Sequence, residues 1–134
     1  MTENNEEKKG IKILLVDDDS FLLDMYSLKF KKAGVDVSAV SSSINALDKL
    51  RAGEKYDVIL LDIIMPGMDG MELLENIRKE KLCPEATIIM LTNQPDEVDR
   101  AKELGVSGYI VKATTIPSEV VEQVLEIYQN NKNK

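Results

Sequence analysis

The sequence predicts an α/β fold in which helices cover both faces of a doubly wound, five-stranded parallel sheet. Short apolar runs rich in β-branched residues recur along the chain, and segments with apolar residues at helical spacing separate them. Most runs are continuously apolar, as is typical of parallel strands buried on both faces. They begin near Ile11, Val35, Val58, Thr87 and Ser107. The intervals leave room for one crossover helix each, and 134 residues suit a single domain.

Composition excludes several classes of protein. No apolar run approaches the roughly 18–20 residues that a membrane span needs, and the polar, acidic start is not a signal peptide. The lone Cys83 cannot form an internal disulfide, so we expect a cytoplasmic protein. A net charge of −7 without a basic stripe disfavours nucleic-acid binding. Because the chain has no histidine, carboxylates must supply any metal ligands, which favours Mg²⁺ over zinc.

Local signals place the first three helices and one edge strand. The run 35–40 alternates apolar and polar residues, so we expect it at an edge of the sheet. Ser20 is predicted to cap the first helix, which ends at Gly34. Serines 41 to 43 precede a second helix ending at Gly53, and a third follows Asp69.

The fourth and fifth helices differ in their apolar content. Pro95 is predicted to open a fourth helix, and its few apolar residues indicate that it is loosely held. Pro117 opens a fifth helix with a clear apolar stripe. We therefore expect a polar, disordered tail over residues 1–10, a folded domain over 11–129 and a frayed tail over 130–134.

Polar residues end four of the predicted strands. Asp17 and Asp18 follow the first, and Asp62, Thr92 and Lys112 end the third, fourth and fifth. Strand order 2-1-3-4-5 would bring the three acids together at the switch point of the sheet, where ligands bind in such folds. Neighbouring carboxylates repel unless a cation lies among them, and a carboxylate can attack phosphorus. The pattern predicts a site for a metal and a phosphoryl group.

These motifs resemble the receiver domain of two-component response regulators, the CheY-like family with its flavodoxin-like (βα)5 fold. The resemblance covers about residues 11 to 128 and rests on four motifs in order. They are Val16-Asp17-Asp18, Asp62-x-x-Met65-Pro66-x-Met68-Asp69-Gly70, Leu91-Thr92, and Gly108-Tyr109-Ile110-Val111-Lys112. A stand-alone response regulator is the simpler interpretation, although a receiver cut from a longer protein would look the same.

The resemblance implies phosphorelay chemistry. Asp62 would accept a phosphoryl group from a sensor histidine kinase or a phosphotransfer protein. Mg²⁺, for which Mn²⁺ can substitute, would bind Asp18, Asp62 and the backbone carbonyl of Ile64, with Asp17 helping through water. Lys112 would pair with the phosphoryl oxygens. The domain would be a signalling switch and not an enzyme, apart from its own phosphorylation and slow self-dephosphorylation.

The resemblance also implies a conformational switch. Thr92 would move inward to the phosphoryl group, and Tyr109 would turn into the vacated space. The surface formed by helix 4, strand 5 and helix 5 would then bind a downstream protein, in a monomer or a phosphorylation-dependent dimer. No nucleic acid or membrane would be involved.

Three residues differ from the usual family pattern or lie at positions that vary within it. Ala113 stands where the family usually has proline after a cis peptide, and a cis bond before alanine costs roughly 2.5–4 kcal/mol. The peptide is therefore either strained or trans. Asn93 replaces a small residue and is expected to narrow the entrance to the site. The apolar Ile64 offers no hydrogen bond to a hydrolysing water, so we predict slow self-dephosphorylation.

Two other functions fit parts of the pattern. The sequence Asp17-x-Asp19 after a strand resembles the opening motif of haloacid-dehalogenase-type phosphatases, in which Asp17 would be the nucleophile. That interpretation leaves the segment around Asp62 unexplained, and Asp19 by itself is better read as a helix cap. A receiver-like adaptor that is never phosphorylated is the other alternative. The intact acidic pocket argues against it.

Overall fold

The computed structural model describes residues 10–93 and 95–133, so most of the predicted N-terminal tail lies outside the described residues. The five strands form one parallel sheet in the order β2-β1-β3-β4-β5, which confirms the predicted topology and the edge position of β2. The strands are β1 (Lys12–Val16), β2 (Asp36–Val40), β3 (Val58–Asp62), β4 (Thr87–Thr92) and β5 (Gly108–Val111).

A helix follows each strand of the sheet. The helices are α1 (Ser20–Lys32), α2 (Ser43–Arg51), α3 (Gly70–Lys79), α4 (Val98–Glu103) and α5 (Pro117–Lys132). The prediction that Ser20 caps α1 is wrong, and the interpretation of Asp19 as a helix cap is confirmed, because the Asp19 carboxylate accepts the hydrogen bond from the N–H of Leu22 at 3.2 Å. A carboxylate one residue earlier reaches the free N–H groups of the first turn.

The sheet separates two apolar cores because successive side chains of a strand point to opposite faces. One core packs α1 and α5 on the sheet through residues such as Tyr26, Phe30 and Val124. The other packs α2, α3 and α4 on the opposite face, through residues such as Leu47 and Leu74. β1, β3 and β4 are buried almost throughout, in agreement with their continuous apolar runs.

The fourth helical segment differs from the prediction. Pro95 begins a 3₁₀ turn, Pro95–Glu97, and α4 proper starts only at Val98. Of the described residues in α4, only Val98 and Ala101 are buried. Its carboxyl end, however, is fastened from α3, because the Arg78 guanidinium donates to the carbonyl oxygen of Leu104 at 2.7 Å and to that of Gly105 at 3.0 Å.

Helix α5 is longer than the sequence predicted. It begins at Pro117 as expected but continues to Lys132, past residue 129 and into the tail that was predicted to fray. The tail has no proline or glycine to stop it, and Lys132 lies 5.3 Å from the centre of the Tyr128 ring. No helix in the described part of the chain is long and apolar enough to cross a membrane.

Candidate functional site

The structure gathers three carboxylates at the carboxyl edge of β1 and β3. Asp17 is completely buried, Asp62 is 6% exposed, and Asp18 faces solvent. One carboxylate oxygen from each of the three lies within 4.8 Å of the others. The register brings this about, because Val16 at the end of β1 pairs with Leu61, the residue before Asp62.

Burial dominates the electrostatics of Asp62. Burial, together with the smaller effect of the charges of Asp17 and Asp18, raises the pKa of the Asp62 carboxyl to about 6 against the opposing charge of Lys112. Removing a charge from water disfavours the ionised form, and like charges add to that effect. The free site is therefore short of positive charge.

Lys112 supplies one positive charge from the end of β5. Its Nζ lies 2.9 Å from Asp17 Oδ2 and 3.3 Å from Asp62 Oδ2, and it donates a hydrogen bond to Asp62. Burial alone would lower the pKa of the Lys112 ammonium, but the hydrogen bonds and charges of the two aspartates outweigh it and raise the pKa. The described chain contains no cis peptide bond, so the lysine reaches the acids with a trans bond before Ala113.

Asp17 is held on both sides. Its Oδ1 accepts a hydrogen bond from the N–H of Asp19 at 2.9 Å, and its Oδ2 contacts Lys112. The carboxylate of Asp19 caps α1 instead of facing the cluster. Each of Asp17, Asp18 and Asp62 still offers one carboxylate oxygen to the cluster.

The turn after β3 depends on two glycines for different reasons. Gly67 has φ +76°, a conformation that side chains other than glycine rarely adopt. Gly70 is needed for close approach, since a Cβ there would lie 2.1 Å from the carbonyl oxygen of Asp62. Its N–H donates to the carbonyl oxygen of Ile63 at 2.7 Å. The start of α3 therefore packs directly on the end of β3.

Thr92 and Tyr109 lie on the same face of neighbouring strands. Thr92 pairs with Val111 in the β4–β5 ladder and Met90 pairs with Tyr109, so Thr92 and Tyr109 are two steps apart along the ladder. Thr92 is completely buried, whereas Tyr109 is 41% exposed. The two predicted switch residues therefore share one face of the sheet, and the tyrosine is the more exposed of the two.

Comparison with known proteins identifies the family. A family model described as the response regulator receiver domain matches residues 13–125. This chain belongs to the response regulator receiver family. Receiver domains of this family act as switches in two-component signalling.

Solved receiver structures have the same fold. The chemotaxis response regulator CheY4 of Vibrio cholerae is 28% identical with a TM-score of 0.78, over 87% of this chain and 98% of that one. A CheY-like receiver domain protein from Methanospirillum hungatei JF-1 is 28% identical with a TM-score of 0.81, over 92% and 97%. The BeF3-activated receiver domain of DrrB is 26% identical with a TM-score of 0.73, over 89% and 97%, and DrrB is described as a Thermotoga maritima OmpR/PhoB homolog.

The acidic cluster of this receiver suits a hard divalent cation. All three candidate side chains offer carboxylate oxygens, the ligand type that Mg²⁺ prefers. A cation there would favour the ionised form of Asp62, whose pKa is raised mainly by burial and also by the charges of Asp17 and Asp18, despite Lys112. The donor set and the charge deficit both fit the metal that receivers bind.

Sequence reasoning missed two contributors to the receiver site. Burial raises the pKa of the Tyr26 phenol on α1, and the charges of Asp17 and Asp62 add to this effect while that of Lys112 opposes it. The narrowing of the entrance by Asn93 stays a prediction, but sequence reasoning missed that its side-chain oxygen accepts a hydrogen bond from the N–H of Ala113 at 2.7 Å. A polar residue after β4 facing a non-proline residue after β5 was the available signal.

Proposed function

We propose that this receiver accepts a phosphoryl group on Asp62 from a phosphohistidine of a sensor histidine kinase or a phosphotransfer protein. An oxygen of the Asp62 carboxylate attacks phosphorus, the P–N bond breaks, and imidazole departs with a proton. The observation that carries the proposal is the position of Asp62 at the end of β3, next to two acids and 3.3 Å from the Lys112 ammonium.

Asp18 and Asp62 are the direct carboxylate ligands of Mg²⁺ or Mn²⁺ in this proposal. As the resemblance to receivers implies, the backbone carbonyl of Ile64 would add a third protein oxygen, and Asp17, a member of the same cluster, would help through water. When bound, the metal supplies positive charge that stabilises the oxygens of the transferring phosphoryl group.

Lys112 has two roles in the proposal. Before transfer, its ammonium neutralises part of the charge of Asp17 and Asp62, which keeps it at the reaction centre. After transfer, it pairs with a phosphoryl oxygen while Asp17 retains it from the other side. A point charge of this kind suits phosphate, which lacks a single preferred planar geometry.

Phosphorylation is proposed to change the surface formed by α4, β5 and α5. Thr92 donates a hydrogen bond to the new phosphoryl group, and the half-exposed Tyr109 turns inward on the same face of the sheet. α4 has only two buried residues, so a few kcal/mol can reposition it. A downstream protein then binds one state of this surface in preference to the other.

The decisive experiment is phosphorylation by acetyl phosphate with Mg²⁺, followed by intact mass spectrometry. The wild-type chain should gain about 80 Da, the mass of one phosphoryl group. Asp62→Asn should gain nothing, while Asp17→Asn should still be labelled, though more slowly.

Each result separates the proposal from its alternatives. Labelling that survives Asp62→Asn but not Asp17→Asn would favour phosphatase-like chemistry at Asp17. A wild-type chain that no phosphohistidine or acyl-phosphate donor can label would favour the unphosphorylated adaptor.

A further inference from the structure

We propose that Asn93 is a positioning residue for phosphoryl transfer, because its side chain fixes the loop that carries Lys112. The proposal rests on the function proposed above and adds a residue to it. Its basis is the hydrogen bond from the backbone N–H of Ala113 to Asn93 Oδ1, at 2.7 Å. The two residues are 20 positions apart in sequence.

The hydrogen bond lies just beyond the end of the sheet. The β4–β5 ladder ends where Thr92 pairs with Val111. The next residue of one strand is Asn93, and the next residue of the other is Lys112. The side chain of Asn93 therefore links the ends of β4 and β5 just beyond their last backbone pair.

The bond also satisfies an otherwise free donor. Residues Lys112–Thr114 form a 3₁₀ turn, and the first N–H groups of a helical turn have no partner within it. Asn93 Oδ1 accepts one of them, as an N-cap residue does from within its own helix. A proline at position 113 would have no N–H to offer.

The contact controls the position of the loop that carries Lys112 into the site. Lys112 and Thr92 are the neighbours of the two bonded residues, and both belong to the proposed site. The ammonium of Lys112 must stay between Asp17 and Asp62, at 2.9 and 3.3 Å. A turn released from Asn93 would let the base of the lysine side chain drift, while the metal-binding acids on β1 and β3 stayed in place.

The test compares Asn93→Ala, which removes the acceptor, with Asn93→Asp, which keeps one. Initial phosphorylation rates with acetyl phosphate should fall about 10-fold in Asn93→Ala, less than the ~100-fold that a 1 Å misplacement can cost. Asn93→Asp should stay within about threefold of wild type. The Mg²⁺ dissociation constant, read from tyrosine fluorescence, should change less than twofold in Asn93→Ala, because its ligands lie on other strands.

Two magnetic-resonance readouts separate positioning from general loosening. The Ala113 amide should exchange with solvent slowly in wild type and Asn93→Asp but rapidly in Asn93→Ala. The Lys112 ammonium signal, visible when its protons are held in hydrogen bonds, should weaken in Asn93→Ala alone. Both measurements use the unphosphorylated chain, so they report on the contact even if phosphorylation itself fails.

Three outcomes would overturn the proposal. The first is a fast-exchanging Ala113 amide in wild type. The second is an unchanged phosphorylation rate in Asn93→Ala despite accelerated exchange. The third is an equal loss of rate in both variants. By contrast, a wild-type chain that no donor labels would contradict the proposed function and leave the Lys112 signal to decide whether Asn93 positions the lysine.

Discussion

The carboxyl group of Asp62 lies where ionisation is costly, and this has a consequence for stability. Its pKa is about 6 in the folded chain against an ordinary value of 3.8. Between these values the folded state binds more protons than the unfolded state, so stability falls as pH rises through this window. Above about pH 6, the full cost of the buried charge is present in the metal-free protein.

Replacing Asp62 by asparagine should remove most of this pH dependence. We expect Asp62→Asn to raise the free energy of unfolding by about 1–2 kcal/mol near pH 7.5 without metal, since one pKa unit corresponds to about 1.4 kcal/mol. Urea unfolding in a chelator, from about pH 4.5 to 7.5, measures this. Parallel pH profiles for the two proteins would contradict the assignment of burial as the cause.

We predict that Ile64 affects a second property, the lifetime of the phosphorylated protein. Its side chain is 60% exposed beside the end of β3 and offers no hydrogen bond to a water that attacks phosphorus. Ile64→Asn should shorten the lifetime of the phosphorylated protein about 10-fold, since an orienting polar group contributes to such steps. Ile44→Asn, at an equally exposed isoleucine on α2, is the matched control. Release of inorganic phosphate gives both lifetimes, and a wild-type lifetime of seconds or less would contradict the prediction.

Among the elements, α4 combines a short apolar face with a polar attachment at one end. Arg78 donates two hydrogen bonds to carbonyl oxygens just beyond the helix, and Arg100 pairs with Glu75 at 2.8 Å. Both contacts join α4 to α3, and Arg78 anchors the segment just beyond the carboxyl end of α4.

Removing the Arg78 side chain should loosen the attachment of α4 to α3. Arg78→Ala should lower the free energy of unfolding by about 1 kcal/mol and accelerate amide exchange over residues 98–105, because two carbonyl groups lose their donor. Arg100→Ala, which breaks a solvent-exposed ion pair, should change both quantities little. Exchange measured by mass spectrometry tests this, and equal effects in both variants would argue against a role for Arg78 as anchor.

At the scale of the whole molecule, metal binding should raise the free energy of unfolding. A ligand that binds only the folded state stabilises it, by about 2.7 kcal/mol at a hundredfold excess over its dissociation constant. Saturating Mg²⁺ should therefore raise the urea midpoint of the wild-type chain. The gain should largely disappear in Asp18→Asn but persist in Asp24→Asn, at an exposed acid on α1 away from the cluster. Equal gains in all three proteins would indicate nonspecific ion effects.

Much of the fold could be predicted from the sequence, because apolar runs and turn residues indicate where strands and helices begin and end. Buried strands and the edge position of β2 needed only periodicity, whereas the strand order came from the known arrangement of doubly wound sheets. The side chains at the strand ends then had to meet at one edge. The start of α4 and the end of α5 were misjudged because element ends depend on weak, competing local preferences.

The contacts within the site were less accessible to sequence reasoning. The sequence offered both Asp19 and Ser20 as caps of α1, since both residue types accept the same hydrogen bond. The bond between Asn93 and Ala113 and the two-sided hold on Asp17 depend on loop geometry. Periodicity does not encode loop geometry, so these features required coordinates.

The tight packing of Gly70 on the Asp62 carbonyl has a consequence for sequence tolerance. In a saturation library selected for a folded product, codon 70 should return glycine alone, because even a methyl group would displace α3 from the strand end. A side chain at position 67 would face open space, so codon 67 should also admit asparagine, which tolerates the positive φ of Gly67. Deep sequencing should thus return only glycine at position 70, where space is restricted, but also asparagine at position 67, where only the backbone angle is restricted.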